Sequence, residues 1–185
     1  MPAKLIVVSG GSGSGKSTIL KEILKRKPEY VFSISSTTRT PRSHETNGNE
    51  YYFLTHEGFD KRIKAGEFLE WAEVHGEYYG TEKRVIEGEL KAGHYVLLDL
   101  DVYGGAAVKK LFPEAILIFI KPPDMESLRE RLEKRGADSQ AQIEKRLSRY
   151  PFEEEQGKKY TFQIVNDDLE TAIQEVAEII ERAIS

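Results

Sequence analysis

The feature that most narrows what this chain can fold into is Gly10–Gly11–Ser12–Gly13–Ser14–Gly15–Lys16–Ser17. It matches the pattern G-x-x-x-x-G-K-[ST]. An apolar run, Leu5–Ser9, precedes it as a buried strand, and Ser17–Lys27 follows as a helix that stops before Pro28. Strand, glycine loop and helix N-terminus in that order make a phosphate cradle. The glycines let backbone N–H groups turn inward toward phosphate oxygens, and the helix end adds partial positive charge. Lys16 is placed to reach the β- and γ-phosphates, and the Ser17 hydroxyl to bind Mg²⁺. Thr18 is a further helix-surface or phosphate contact. A bound nucleoside triphosphate follows from this stretch; the reaction does not.

A phosphate loop of this kind implies an α/β fold, and the rest of the chain agrees. Val31–Ser35, Tyr95–Leu100 and Ala115–Ile120 read as strands, the last two as continuous apolar runs covered on both faces. Phe162–Val165 is the last strand, and Asp168–Ile184 is a helix with one apolar face. Two regions interrupt the alternation. Residues 36–80 hold four of the nine tyrosines and the only tryptophan, with strand-like Tyr51–Leu54 and Phe68–Val74 around a short helix near Phe59–Ala65. Residues 124–160 are charged and mostly helical. Both read as movable covers on a core, which a phosphoryl-transfer enzyme needs to exclude water.

At 185 residues the chain suits one such core with small attachments. A net charge of −4 argues against a general nucleic-acid binder. The absence of cysteine excludes a disulfide framework, a thiolate zinc site and a catalytic thiol, and it fits a reducing cytoplasm. No apolar stretch approaches the roughly 20 residues a membrane span needs. The expected protein is cytoplasmic, with no membrane contact and no obligate protein partner. Its four histidines, at positions 44, 56, 75 and 94, show no ligand spacing and read as structural or exposed.

In SISSTTRTPRSHETNGNEYYF, Arg39 and Arg42 stand three apart with Pro41 between them. Two guanidinium groups so placed can clamp a phosphate dianion, with Tyr51 and Tyr79 completing the shell. Together with GSGSGKST, EFLEWAEVHGEYYGT, LLDLDVYGG, RLEKRGAD, IEKRL and IVNDDLE, this string makes the chain resemble guanylate kinases along nearly its whole length. The resemblance implies a three-layer P-loop NTPase fold with a parallel central sheet, a small mixed β/α GMP-binding subdomain and a helical lid. On that reading residues 1–35, 81–123 and 161–185 form the core, 36–80 the GMP-binding subdomain and 124–160 the lid. The implied reaction transfers the γ-phosphoryl group of ATP to GMP or dGMP with Mg²⁺. A scaffold domain of the same family is the alternative, but such domains tend to lose the loop residues that Lys16 and Ser17 supply here.

The resemblance also implies site residues. Ser35, Glu70, Thr81 and Asp99 surround the guanine, and Arg39, Arg42, Tyr51 and Tyr79 hold the GMP phosphate. The chemistry is sound, because a carboxylate accepts guanine's N1–H and N2–H₂ while the Ser35 or Thr81 hydroxyl donates to O6. Asp99 is assigned to guanine and Asp101 to the metal through water. The transition-state charges come from Lys16, Arg39 and the lid arginines Arg131, Arg135 and Arg146, and no general base is needed because the acceptor is already ionised. Asn166 takes the adenine side. Three departures from the family pattern stand out. Gly11 lies where proline is common and should loosen the loop. His44 lies where a small residue is usual. Pro151 should break or restart the helix after Arg146.

Overall fold

The computed structural model describes residues 5–43, 45–74, 76–136 and 138–184. His44 and His75 lie outside them. The first apolar run is β1 (Leu5–Gly10), the centre of a five-stranded parallel sheet. Its partners are β2 (Tyr30–Ser33), β7 (Tyr95–Asp99), β8 (Ile116–Lys121) and β9 (Phe162–Val165), in the order β2-β7-β1-β8-β9. Val7 lies between Leu98 and Leu117 in register, and all three are buried. Continuous Val/Ile/Leu runs fit such strands because helices cover both faces.

One face is covered by α1 (Lys16–Arg26) and α7 (Leu169–Ile184), which bury Ile19, Ile23, Ile173, Val176 and Ile180 against Ile6, Val8 and Ile118. The other carries α3 (Lys83–Lys91) and α4 (Val102–Leu111), which bury Ile86, Val102 and Val108 against Val7, Leu98 and Leu117. Strand order and layering make this the α/β three-layer arrangement that the family resemblance implies.

A second, mixed sheet of four strands stands beside the core, in the order β4-β3-β6-β5. It comprises β3 (Ser36–Thr37), β4 (Tyr52–Phe53), β5 (Phe68–Val74) and β6 (Glu77–Glu82), with α2 (His56–Lys64) packed on it. The single strand expected over Val31–Ser35 ends at Ser33. The chain leaves the core sheet there, and Ser36 pairs with Tyr52 and Gly80 in the second sheet. Gly80 is required by packing, since a Cβ there would stand 2.9 Å from both the Phe59 and Phe68 rings.

The charged segment forms α5 (Met125–Arg135) and α6 (Gln140–Gly157), joined through a small apolar core of Leu128, Leu132, Ile143, Leu147 and Tyr150. Helix α5 begins with an Asp124 cap, and α6 with a capping box from Ser139 and Gln142. The expected break at Pro151 does not occur; α6 runs through it. Pro151 is exposed, whereas Tyr150 before it and Gly157 beyond it are buried, so packing holds both halves in line against a proline cost of about 3 kcal/mol. Gly157 fits directly against the Phe119 ring, which a Cβ would strike at 2.5 Å.

Candidate active site

The core sheet, the second sheet and the α5–α6 pair enclose one cleft of about 1020 Å³ at the C-terminal ends of β1 and β7, where ligand sites of open α/β sheets gather. Its floor is the phosphate loop. Gly13 and Gly15 adopt φ of 92° and 91°, a region costly for any residue with a Cβ, and this turns the loop around the start of α1. Gly10 to Gly13, Gly15, Lys16, Ser17 and Thr18 all line the cleft. Ser14 is buried behind them, its carbonyl accepting a hydrogen bond from Asn166 Nδ2 at 2.7 Å.

Lys16 is ion-paired with Asp99 and donates to the Leu100 carbonyl at 3.3 Å. Asp101, two residues further, caps α4. Its Oδ1 accepts from the N–H groups of Tyr103 (3.0 Å) and Gly104 (2.9 Å), and its Oδ2 faces Arg149 at 3.3 Å.

The opposite wall presents Ser35, Arg39, Arg42, Tyr51, Glu70 and Tyr79. Arg39 makes a two-pronged bond to Glu45 at 2.8 and 2.9 Å, and its guanidinium lies 5.4 Å over the Tyr51 ring. Glu45 also accepts the Arg42 N–H at 2.8 Å. Burial works to raise the Glu45 carboxyl, but the bonds from Arg39 and Arg42 outweigh it and hold it below the usual carboxylate range. One buried acid therefore holds both arginines in place. Burial, reinforced by the nearby Asp99 charge, pushes the Tyr51 phenol up to about 12, so it stays a hydrogen-bond donor at any physiological pH.

Glu70 sits at the inner end of this wall, 8% exposed. Thr81 Oγ1 donates to its Oε1 at 2.6 Å. That hydroxyl proton is therefore committed, Thr81 lies behind the cleft wall, and Ser35 is the hydroxyl that faces the opening. Burial raises the Glu70 carboxyl to about 7; the Thr81 bond opposes the rise and the Asp101 charge adds to it. Gly104 makes room for it, because a Cβ there would stand 2.9 Å from Glu70 Oε2.

From α5 and α6, Arg131, Arg135 and Arg146 reach the cleft. Arg146 donates to Ser12 Oγ at 2.7 Å and to Asp138 at 3.0 Å, and Arg131 donates to the Asn166 carbonyl at 2.8 Å. Asn166 opens instead on a smaller adjoining hollow of about 250 Å³, shared with Gly15, Thr18, Arg131 and Leu169. Gly11 is not simply a looser residue. A Cβ there would stand 2.7 Å from Tyr150 Cδ2, so its bareness lets α6 approach the phosphate loop.

All the expected residues except Ser14, Thr81 and Asn166 therefore line one cleft, with two cationic clusters facing one another. Sequence reasoning missed Glu45, Arg149 and Glu153. Each had a signal: Glu45 follows Arg42 by three, Arg149 follows Arg146 by three, and Glu153 follows Arg149 by four on one helix. Of the two described histidines, His56 faces Glu77 at 3.4 Å and His94 contacts Glu89 at 2.6 Å, both outside the cleft. Among the described residues no three or more histidine, cysteine or acidic side chains cluster as a metal cage.

A family model described as guanylate kinase matches residues 2–183. The guanylate kinase of Thermotoga maritima is 43% identical over 180 residues, covering 97% of this chain and 87% of that protein. The guanylate kinase of Symbiobacterium thermophilum is 46% identical over 176 residues, covering 95% of this chain and 83% of its own length. The crystal structure of guanylate kinase from Anaplasma phagocytophilum superposes with a TM-score of 0.82 at 31% identity, covering 97% of this chain and 85% of that one.

Proposed function

The chain belongs to the guanylate kinase family, and on that premise we propose which of its residues perform the transfer of a phosphoryl group from ATP to GMP. The family is one of ATP:GMP phosphotransferases, and this is the activity of the chain. The observation that carries the residue assignment is the buried Glu70 at the inner end of the wall that also presents Arg39 and Arg42, facing the phosphate loop across one cleft.

In this reading ATP lies with its phosphates on Gly10–Thr18 and its adenine toward Asn166. GMP lies with its phosphate on Arg39, Arg42, Tyr51 and Tyr79. The Glu70 carboxylate accepts guanine N1–H and N2–H₂, Thr81 fixes that carboxylate, and Ser35 donates to O6. Asp99 releases Lys16 to the triphosphate and turns toward the base. Adenine lacks the 2-amino group and presents a lone pair at N1, so its binding leaves a buried acceptor unpaired. Sites built this way reject such analogues by about 10⁴–10⁵. A GMP phosphate oxygen then attacks the γ-phosphorus in line, and Lys16, Arg131, Arg135 and Arg146 balance the developing charge.

The donor set also fits Mg²⁺. The Ser17 hydroxyl faces the cleft, and Asp101 keeps Oδ2 clear of its capping bonds, two oxygen donors of the kind that hold this ion together with waters and substrate phosphates. When bound there, the ion neutralises charge on the β- and γ-phosphate oxygens. The same reading divides the chain into a core, residues 1–35, 81–123 and 161–185, a GMP-binding part, 36–80, and a lid, 124–160. It places the protein in the cytoplasm, where both nucleotides are found.

The test is ADP release measured with GMP, dGMP, AMP, CMP and UMP as acceptors. Turnover on GMP exceeding that on AMP by at least a thousandfold is expected, and a preference for AMP would overturn the Glu70 assignment.

A further inference from the structure

We propose that Arg149 is a further catalytic residue, a guanidinium that stabilises the phosphoryl group as it passes between the two nucleotides. The inference rests on the site reading above and deepens it. Helix α6 has two distinct faces. Ile143, Leu147 and Tyr150 pack toward α5, while Arg146, Arg149 and Glu153 line the cleft. Arg146 and Arg149 are three residues apart and so project from adjacent turns, yet they reach different places. Arg146 is tied to the rim of the phosphate loop through Ser12. Arg149 reaches across to the β7–α4 corner, with Nη2 3.3 Å from Asp101 Oδ2 and Nε 2.9 Å from Glu153 Oε1.

Those two carboxylates mark the two sides of the reaction. Glu153 stands against the phosphate loop, its Oε2 3.1 Å from where a Gly11 Cβ would be. Asp101 stands toward the acceptor, since the Gly104 N–H that it accepts belongs to the glycine lying against Glu70. A guanidinium bracketed by them lies between the donor and acceptor sites. In the transfer, one bond forms from a GMP phosphate oxygen to the γ-phosphorus. The bond from that phosphorus to the β,γ-bridging oxygen breaks, and its electron pair leaves on the β-phosphate of ADP. No net proton moves. In the loose transition state the charge is spread over the three transferring oxygens and shifts onto the bridging oxygen, and a cation positioned for that arrangement stabilises it over the ground state. The 3.3 Å bond to Asp101 is at the long end of hydrogen-bond geometry. The fork can therefore turn onto the phosphoryl oxygens while Glu153 keeps hold of Nε.

The experiment compares steady-state kinetics of the wild type, Arg149→Met and Arg149→Lys with ATP and GMP, with and without added guanidinium ion, and checks each variant's thermal unfolding. Arg149→Met is expected to lose about 100- to 1000-fold in kcat, the scale of one transition-state donor, with both KM values changed less than about threefold. Added guanidinium ion is expected to restore part of that loss and to leave the wild type unchanged. Lysine keeps the charge without the fork, so Arg149→Lys should fall between the two. A kcat for Arg149→Met within threefold of wild type would overturn the inference. So would a loss appearing only in the KM for ATP, or one equal in both variants that guanidinium cannot restore. If Arg149→Met fails to unfold cooperatively, the decision passes to Arg149→Lys, where an unchanged kcat overturns the proposal. An inactive wild type would instead refute the underlying site reading.

Discussion

Replacing Glu70 by glutamine should make the nucleotide-free protein more stable while making it a worse enzyme. Burial moves the Glu70 carboxyl from 4.5 to about 7. The folded chain thus binds this proton more tightly than the unfolded chain does. Between pH 4.5 and 7 the unfolded state has lost the proton and the folded state still holds it, so this residue's contribution to stability falls as pH rises through that window and levels off above 7. A difference of about 2.5 units at 1.36 kcal/mol each amounts to about 3 kcal/mol lost at pH 8. Glutamine carries no charge and keeps an oxygen for the Thr81 hydroxyl. At pH 8 Glu70→Gln should therefore gain up to about 3 kcal/mol, a rise of roughly 6–12 °C in Tm for a chain of this size. At pH 5 the gap should shrink below about 1 kcal/mol. Calorimetry at pH 8, 7, 6 and 5 measures it. A variant that melts at or below wild type at pH 8, or a gap that ignores pH, would refute the argument that this carboxylate is held at a cost in stability for the sake of its ligand.

Three further perturbations have definite outcomes. Lys16→Met removes the partner of Asp99 and the cation on the phosphate loop; kcat should fall by about 10²–10³ while the protein still unfolds cooperatively, as read by a coupled assay and circular dichroism. Arg39→Met removes charged hydrogen bonds worth about 2–3 kcal/mol, so the KM for GMP should rise roughly 30- to 100-fold with the KM for ATP unchanged, both from initial rates. Gly11→Ala puts a Cβ 2.7 Å from the Tyr150 ring and should destabilise by about 1–3 kcal/mol. Adding Tyr150→Ala should recover at least about 0.5 kcal/mol relative to the sum of the single changes in denaturant unfolding.

The core was legible because its strands are uninterrupted apolar runs and its loop has an unmistakable glycine spacing. Strands β5 and β9 fall on the residues read from sequence, Phe68–Val74 and Phe162–Val165. Helix α4 was not foreseen, because Gly104 and Gly105 weaken any local helix signal. Those glycines answer to distant neighbours: a Cβ on Gly104 would crowd Glu70, and one on Gly105 would strike the Tyr160 hydroxyl at 1.9 Å. Strand β6 was hidden in the same way by Gly80. Pro151 misled for the opposite reason, a strong local signal overruled by burial on either side of it. Within the cleft, residue types and spacing pointed to the phosphate loop and the paired arginines, and the resemblance to guanylate kinases pointed to Glu70. They did not show that Thr81 serves Glu70, that Glu45 fixes both arginines, or that Arg149 turns toward Asp101. Those facts depend on which side chains the two sheets and the α5–α6 pair bring within hydrogen-bonding distance, and no period along the chain encodes them.

The most direct test of the central claim, that a buried carboxylate reads guanine, is GMP binding by wild type and Glu70→Gln, titrated calorimetrically at pH 8 and pH 6. GMP's own phosphate titrates in this range, so the ratio of the two affinities is the informative quantity. With the Glu70 carboxyl near 7, the ionised fraction falls about tenfold between these pH values. The advantage of wild type over the variant should shrink by the same factor. An equal affinity of the two proteins for GMP at pH 8, or a ratio independent of pH, would contradict it.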